Sequence, residues 1–83
     1  LQRFILIRMN NAIEINPLCL LGDKVRQLRN ELSLSQEALA NICGFDRTYI
    51  SLIERGKRNI SFVNLQTLSK GLGISISELT TGI

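Results

Sequence analysis

Eighty-three residues, 45% of them apolar and 20% charged, suffice for one small domain and are too apolar for a disordered tail. With no histidine and only Cys19 and Cys43, the usual zinc and metal-hydrolase ligand sets are excluded; three Phe, one Tyr and no Trp offer little stacking surface for single-stranded bases. Ten Lys and Arg against seven Asp and Glu leave a net +3, an excess whose placement matters more than its size.

Residues 1–15 are expected to form an N-terminal arm or tail, and 16–83 the folded helix-bearing domain. Phe4-Ile5-Leu6-Ile7 is β-prone. It reads either as an arm that pairs with a partner subunit through an exposed edge or as a mobile tail. The run is too short for a secretory core or a membrane span. Met9, followed by Asn10-Asn11, is a candidate natural start, with the eight residues ahead of it then foreign or upstream sequence.

Asn16-Pro17 predicts a helix start, with Asn16 as N-cap and Pro17 at the first helical position. Leu18, Leu21, Val25, Leu28 and Leu32 give this first helix its apolar stripe. Gly22 weakens it by about 1 kcal/mol relative to Ala, so a start or bend there is the alternative. Lys24, Arg26 and Arg29 lie on its polar positions. A second helix is predicted from Ser35, its cap, to Gly44, with Leu39, Ala40 and Cys43 as the stripe. A third follows from Asp46 to Gly56: Ile50, Ile53 and the stem of Glu54 fall on one side, and Thr48, Ser51, Leu52 and Arg55 on the other. Beyond a basic loop, Ser61 caps a fourth helix carrying Phe62, Leu65, Leu68 and Leu72, closed by Gly71 and Gly73. Ser75 to Glu78 has the capping-box pattern for a short last helix. Ile74, Ile76, Leu79 and Ile83 exceed what one small core needs, and a symmetric dimer contact could use them. Cys19 and Cys43 are expected as small buried hydrophobes in a reducing cytoplasm.

Two short helices joined through Gly44, Phe45 and Asp46 make a helix-turn-helix pattern. Ser35-Gln36-Glu37-Ala38-Leu39-Ala40, Gly44, and Tyr49-Ile50-Ser51-Leu52-Ile53-Glu54-Arg55-Gly56-Lys57-Arg58 resemble the Cro/C1-type (XRE) family of bacterial and phage regulators, from Gly22 to Leu79. The resemblance implies an all-α, compact five-helix bundle of the lambda-repressor-like type. It also implies a structural ion pair between Arg29 and Glu54, clamping the first helix to the third, and a place for Gln36 beside a phosphate at a helix N-terminus. Asp46 to Ser51, Ile53 to Arg55 and Arg58-Asn59 resemble most the controller proteins of restriction-modification systems. Those are small ligand-free dimers that act on their own gene and that of the endonuclease. Prophage repressors, antitoxin subunits and regulatory segments of DNA methyltransferases share much of the pattern.

Under this reading the third helix enters the major groove of double-stranded DNA. Arg47 can fork onto guanine, and Thr48 and Ser51 can donate or accept. Tyr49 either turns its hydroxyl to a base or phosphate or packs against the turn. Leu52 either meets thymine methyls or stands exposed. Ser35, Gln36, Arg55, Lys57, Arg58 and Asn59 are the expected phosphate contacts. The working form is a homodimer on a palindromic operator, with the C-terminal helix region and the arm as candidate interfaces and RNA polymerase as a further candidate partner. No cofactor, small-molecule ligand or metal is expected, and the place of action is the cytoplasm, at the nucleoid. A protein-interaction module on the same scaffold is the alternative of another class. An enzyme is disfavoured because no paired carboxylates, phosphate-cradling loop or nucleophile–base pair can be found.

Overall fold

Five side-chain caps set where the helices begin. In the computed structural model, which describes residues 5–7 and 13–83 and side chains from Asn16 onward, the helices are α1 (Pro17–Glu31), α2 (Gln36–Cys43), α3 (Arg47–Glu54), α4 (Phe62–Gly71) and α5 (Ile76–Thr80). Asn16 Oδ1 accepts from the Leu18 N–H at 2.9 Å, and Ser35 and Ser61 hydroxyls accept from Ala38 and Asn64 N–H groups at 3.0 and 3.1 Å. The Asp46 carboxylate accepts from Thr48 N–H at 3.3 Å, and Ser75 and Glu78 bond reciprocally as a capping box. Each such bond satisfies an N–H that the helix itself leaves unpaired and stabilises by about 1 kcal/mol.

Ahead of this helical body, β1 (Ile5–Ile7) pairs antiparallel with β2 (Ile13–Ile15), Leu6 opposite Glu14. The β-prone run therefore finds its partner strand within the chain. Phe4 and the Met9–Asn11 stretch, on which the reading of a natural start rests, lie outside the described residues.

α1 and α2 both pack on α3, α4 lies against α2, and α5 closes onto α1 and α4. Leu21, Val25, Leu39, Ala40, Ile50, Ile53, Leu68, Leu72 and Leu79 form the buried core, so every helix contributes to or borders it. Leu79 and Ile74 serve this core directly, leaving Ile83 as the exposed member of the C-terminal apolar set. Phe62 departs from the expected face and is 68% exposed. At roughly 100° per residue it sits about 120° round the helix from Leu68, beyond the stripe that Leu65 and Leu72 complete.

Gly22 neither starts nor bends α1, which is continuous through it. It lies where α1 backs onto the end of α3: a Cβ there would collide with the Ile53 carbonyl oxygen and stand 2.7 Å from that of Glu54. The helix accepts a poor helix former because only hydrogen fits at that crossing. Cys19 and Cys43 are both free and half-buried. Among the described residues no helix is long and apolar enough to cross a membrane.

Candidate nucleic-acid interface

The connection between α2 and α3 is short because one residue takes a left-handed conformation. Gly44 has φ +74°, and its N–H and that of Phe45 return to the Asn41 and Ala40 carbonyls at 3.3 and 2.8 Å. This is the usual way a glycine ends a helix and satisfies its last carbonyls. The chain then leaves α2 at a sharp angle, and Asp46 starts α3 at once. Phe45 packs edge-on against the Tyr49 ring, with centroids 4.9 Å apart and planes at 78°.

The inner edge of α3 is apolar except at Glu54, whose side chain is fully buried. Arg29 of α1 grips both carboxylate oxygens, Nε to Oε2 at 2.6 Å and Nη2 to Oε1 at 3.0 Å, while its Nη1 donates to the Leu34 carbonyl at 2.7 Å. Arg26 Nε and Gln36 Nε2 also donate to Oε1, at 3.4 and 3.1 Å. Burial alone would raise the Glu54 pKa, but the bonds from Arg29, Gln36 and Arg26 outweigh it and hold the carboxyl below its ordinary value. The same bond to Glu54 raises the Arg29 guanidinium. One carboxylate thus ties α1, the start of α2 and α3 together. Gln36, expected beside a phosphate, spends its amide on this inner network.

The outer edge has different chemistry. Arg47, Thr48, Arg55, Lys57, Arg58 and Asn59 are exposed, whereas Ser51 and Leu52 are half-buried. Four cationic side chains, Arg47, Arg55, Lys57 and Arg58, share this surface with the carboxylate of Asp46, since Glu54 is turned inward. Ser35 is occupied as the α2 cap. Tyr49 is half-buried: its hydroxyl accepts from Asn64 Nδ2 at 3.0 Å, and the Arg58 guanidinium lies over its ring, 5.3 Å from the centroid. The Tyr49 ring packs at the turn, as one of its two readings had it. Asn64 and Arg26 are side chains that sequence reasoning did not single out, and no local pattern marks them.

A family model described as helix-turn-helix (HTH_3) matches residues 25–79. The chain belongs to this helix-turn-helix family. The control protein C.MunI of Mycoplasma sp is 54% identical over 63 residues, which cover 75% of this chain and 85% of that one. The crystal structure of the restriction-modification controller protein C.AhdI from Aeromonas hydrophila superposes with a TM-score of 0.73 at 45% identity, covering 75% of this chain and 94% of that one. The C.Esp1396I controller, solved as a tetramer in complex with its natural 35 base-pair operator, has a TM-score of 0.73 at 36% identity, covering 80% of this chain and 87% of that one. The five-helix body of this helix-turn-helix chain, all-α from residue 16 onward with the β1–β2 pair as an addition ahead of it to the expected all-α fold, therefore has the architecture of the controller proteins.

Proposed function

We propose that this chain is a sequence-specific double-stranded DNA-binding transcription regulator, the controller of a restriction-modification system, with residues 16–83 as the DNA-binding domain. The observation that carries the reading is the split of α3 into two edges: Ile50, Ile53 and Glu54 are consumed by the fold, and what remains outside is a cationic, hydrogen-bonding surface. An interaction module has no need of that charge arrangement. Arg47 and Thr48, exposed in the first turn of α3, are the base readers, with Ser51 and Leu52 along the same groove. Arg55, Lys57, Arg58 and Asn59 flank them toward the phosphates, together with the α2 N-terminus at Ser35 and Gln36, where backbone N–H groups and the helix dipole favour an anion.

One domain of this size makes too few contacts for operator-level discrimination, so a homodimer reading half-sites about 34 Å apart is the working form. The protein works without catalysis, in the cytoplasm, and RNA polymerase is the partner through which it would act on transcription. Selection from a random duplex library, followed by titration of the enriched sequence at several salt concentrations, tests this reading. A palindrome with half-sites one turn apart is the expected result, and its position upstream of a restriction endonuclease gene rather than a prophage gene would fix the controller role. No enrichment, with only weak salt-sensitive binding, would refute it.

A further inference from the structure

We infer that Tyr49 is a positioning residue: held by Asn64, its ring presents the Arg58 guanidinium to the DNA backbone. This rests on the DNA-binding reading above. Arg58 sits in the connection between α3 and α4, where no helix fixes it, and among the described residues it has no carboxylate partner. Its guanidinium instead lies 5.3 Å from the Tyr49 centroid, a cation–π contact that limits where a flexible side chain can go. The ring is itself fixed from two directions. Phe45 meets it edge-on from the α2–α3 turn, and Asn64, in the first turn of α4, donates to its hydroxyl at 3.0 Å. Asn64 is held in turn, since its backbone N–H bonds the Ser61 cap.

Arg58 lies midway along the connection between the two helices and Asn64 just beyond it, and both end on the same ring. Tyr49 therefore ties α3 to the middle of that connection and to the start of the helix it leads into. The hydroxyl accepts in this placement, and the gain is a phosphate-seeking cation ordered before DNA arrives.

A double-mutant cycle on a random-sequence duplex tests this. Tyr49→Leu should weaken binding about two- to five-fold per half-site, roughly four- to twenty-five-fold for a two-site complex, when Arg58 is present. In an Arg58→Ala background the same change should cost almost nothing more. Tyr49→Phe and Asn64→Ala, which each remove the hydroxyl–amide bond but keep the ring, should both fall between wild type and Tyr49→Leu. Because the chain has one Tyr and no Trp, the near-ultraviolet tyrosine circular dichroism of the free protein reports on Tyr49 alone. Arg58→Ala and Asn64→Ala should each change it without DNA and irrespective of whether Tyr49→Leu folds. Equal losses in both backgrounds, or a tyrosine band indifferent to Arg58→Ala, overturn the inference while leaving DNA binding intact. A wild-type chain that binds no duplex at low salt overturns the DNA reading and this inference with it.

Discussion

Replacing Glu54 by Gln is the sharpest probe of how α3 is held. From the described residues the carboxylate accepts four bonds, two from Arg29 and one each from Arg26 and Gln36, and its side chain is fully buried. A carboxamide has one acceptor oxygen and puts an NH2 where a donor already points, so at least one charge-assisted bond is lost and Arg29 is left without its counter-charge. Removing one partner of a buried pair costs about 3–5 kcal/mol. The Arg29 and Arg26 side chains are 13% and 35% exposed, so water can partly replace the lost partner. The lower end, about 3 kcal/mol, is therefore expected. A domain of this length has a total stability of about 4–12 kcal/mol, so the loss is readily measured by urea unfolding. The pH dependence carries a sign. Because the folded-state carboxyl titrates below its ordinary value, its contribution is complete above the ordinary carboxylate range and is lost as pH falls through the depressed folded value. Other carboxylates are common to both proteins, so the stability difference between wild type and Glu54→Gln should be largest near neutrality and shrink as pH falls below the ordinary carboxylate range. A difference under about 1 kcal/mol at pH 7, or one that stays constant on acidification, would refute the clamp.

Gly22→Ala gains about 1 kcal/mol of helix propensity but forces a methyl onto two backbone carbonyls of α3, an overpacking cost of about 1–3 kcal/mol. The expected outcome is a net loss of up to about 2 kcal/mol, and a raised thermal midpoint would contradict the close approach. Gly44→Ala meets no atom within 4 Å, yet must hold φ near +74°, which costs about 1–2 kcal/mol; Gly44→Asn should be milder in denaturant titration, and the reverse order would count against the left-handed exit. Phe62→Gln, at a position 68% exposed, should change stability by less than about 0.5 kcal/mol; a larger loss by calorimetry would mean that Phe62 is covered in solution. Arg47→Ala should relax base preference at one position in each half-site, whereas Arg58→Ala should weaken binding to every duplex and lower the salt slope by about one unit per contact; identical profiles for the two would sink the division of roles.

The helix starts were legible because each is written locally: Asn16, Ser35, Asp46, Ser61 and Ser75 cap the turns that follow them, and the stripes centred on Leu21, Leu39, Ile50 and Leu68 share one core. The basic surface after Gly44 was legible too, since charge clustering needs no tertiary information. What escaped reading depends on residues far apart in the chain. Whether Gly22 bends a helix or admits a neighbour is decided by α3, not by α1. The amide of Gln36 could not be assigned to Glu54 from spacing, because 18 residues and a turn separate them. The packing of Tyr49 could not be read from its own helix, because the donor to its hydroxyl is Asn64, 15 residues on. Phe62 matched the three- and four-residue spacing of its neighbours but started the helix too far round to reach the core.

The two edges of α3 also bear on how such a protein can change. Stability is vested in Ile50, Ile53 and Glu54, none of which faces outward, while Arg47, Thr48 and Arg55 are exposed and contribute little to packing. Exposed positions of this kind usually tolerate substitution within about 0.5 kcal/mol. New operator preferences can therefore be explored along one edge while the other keeps the helix seated. Drift in the recognised sequence is uncoupled from the risk of unfolding.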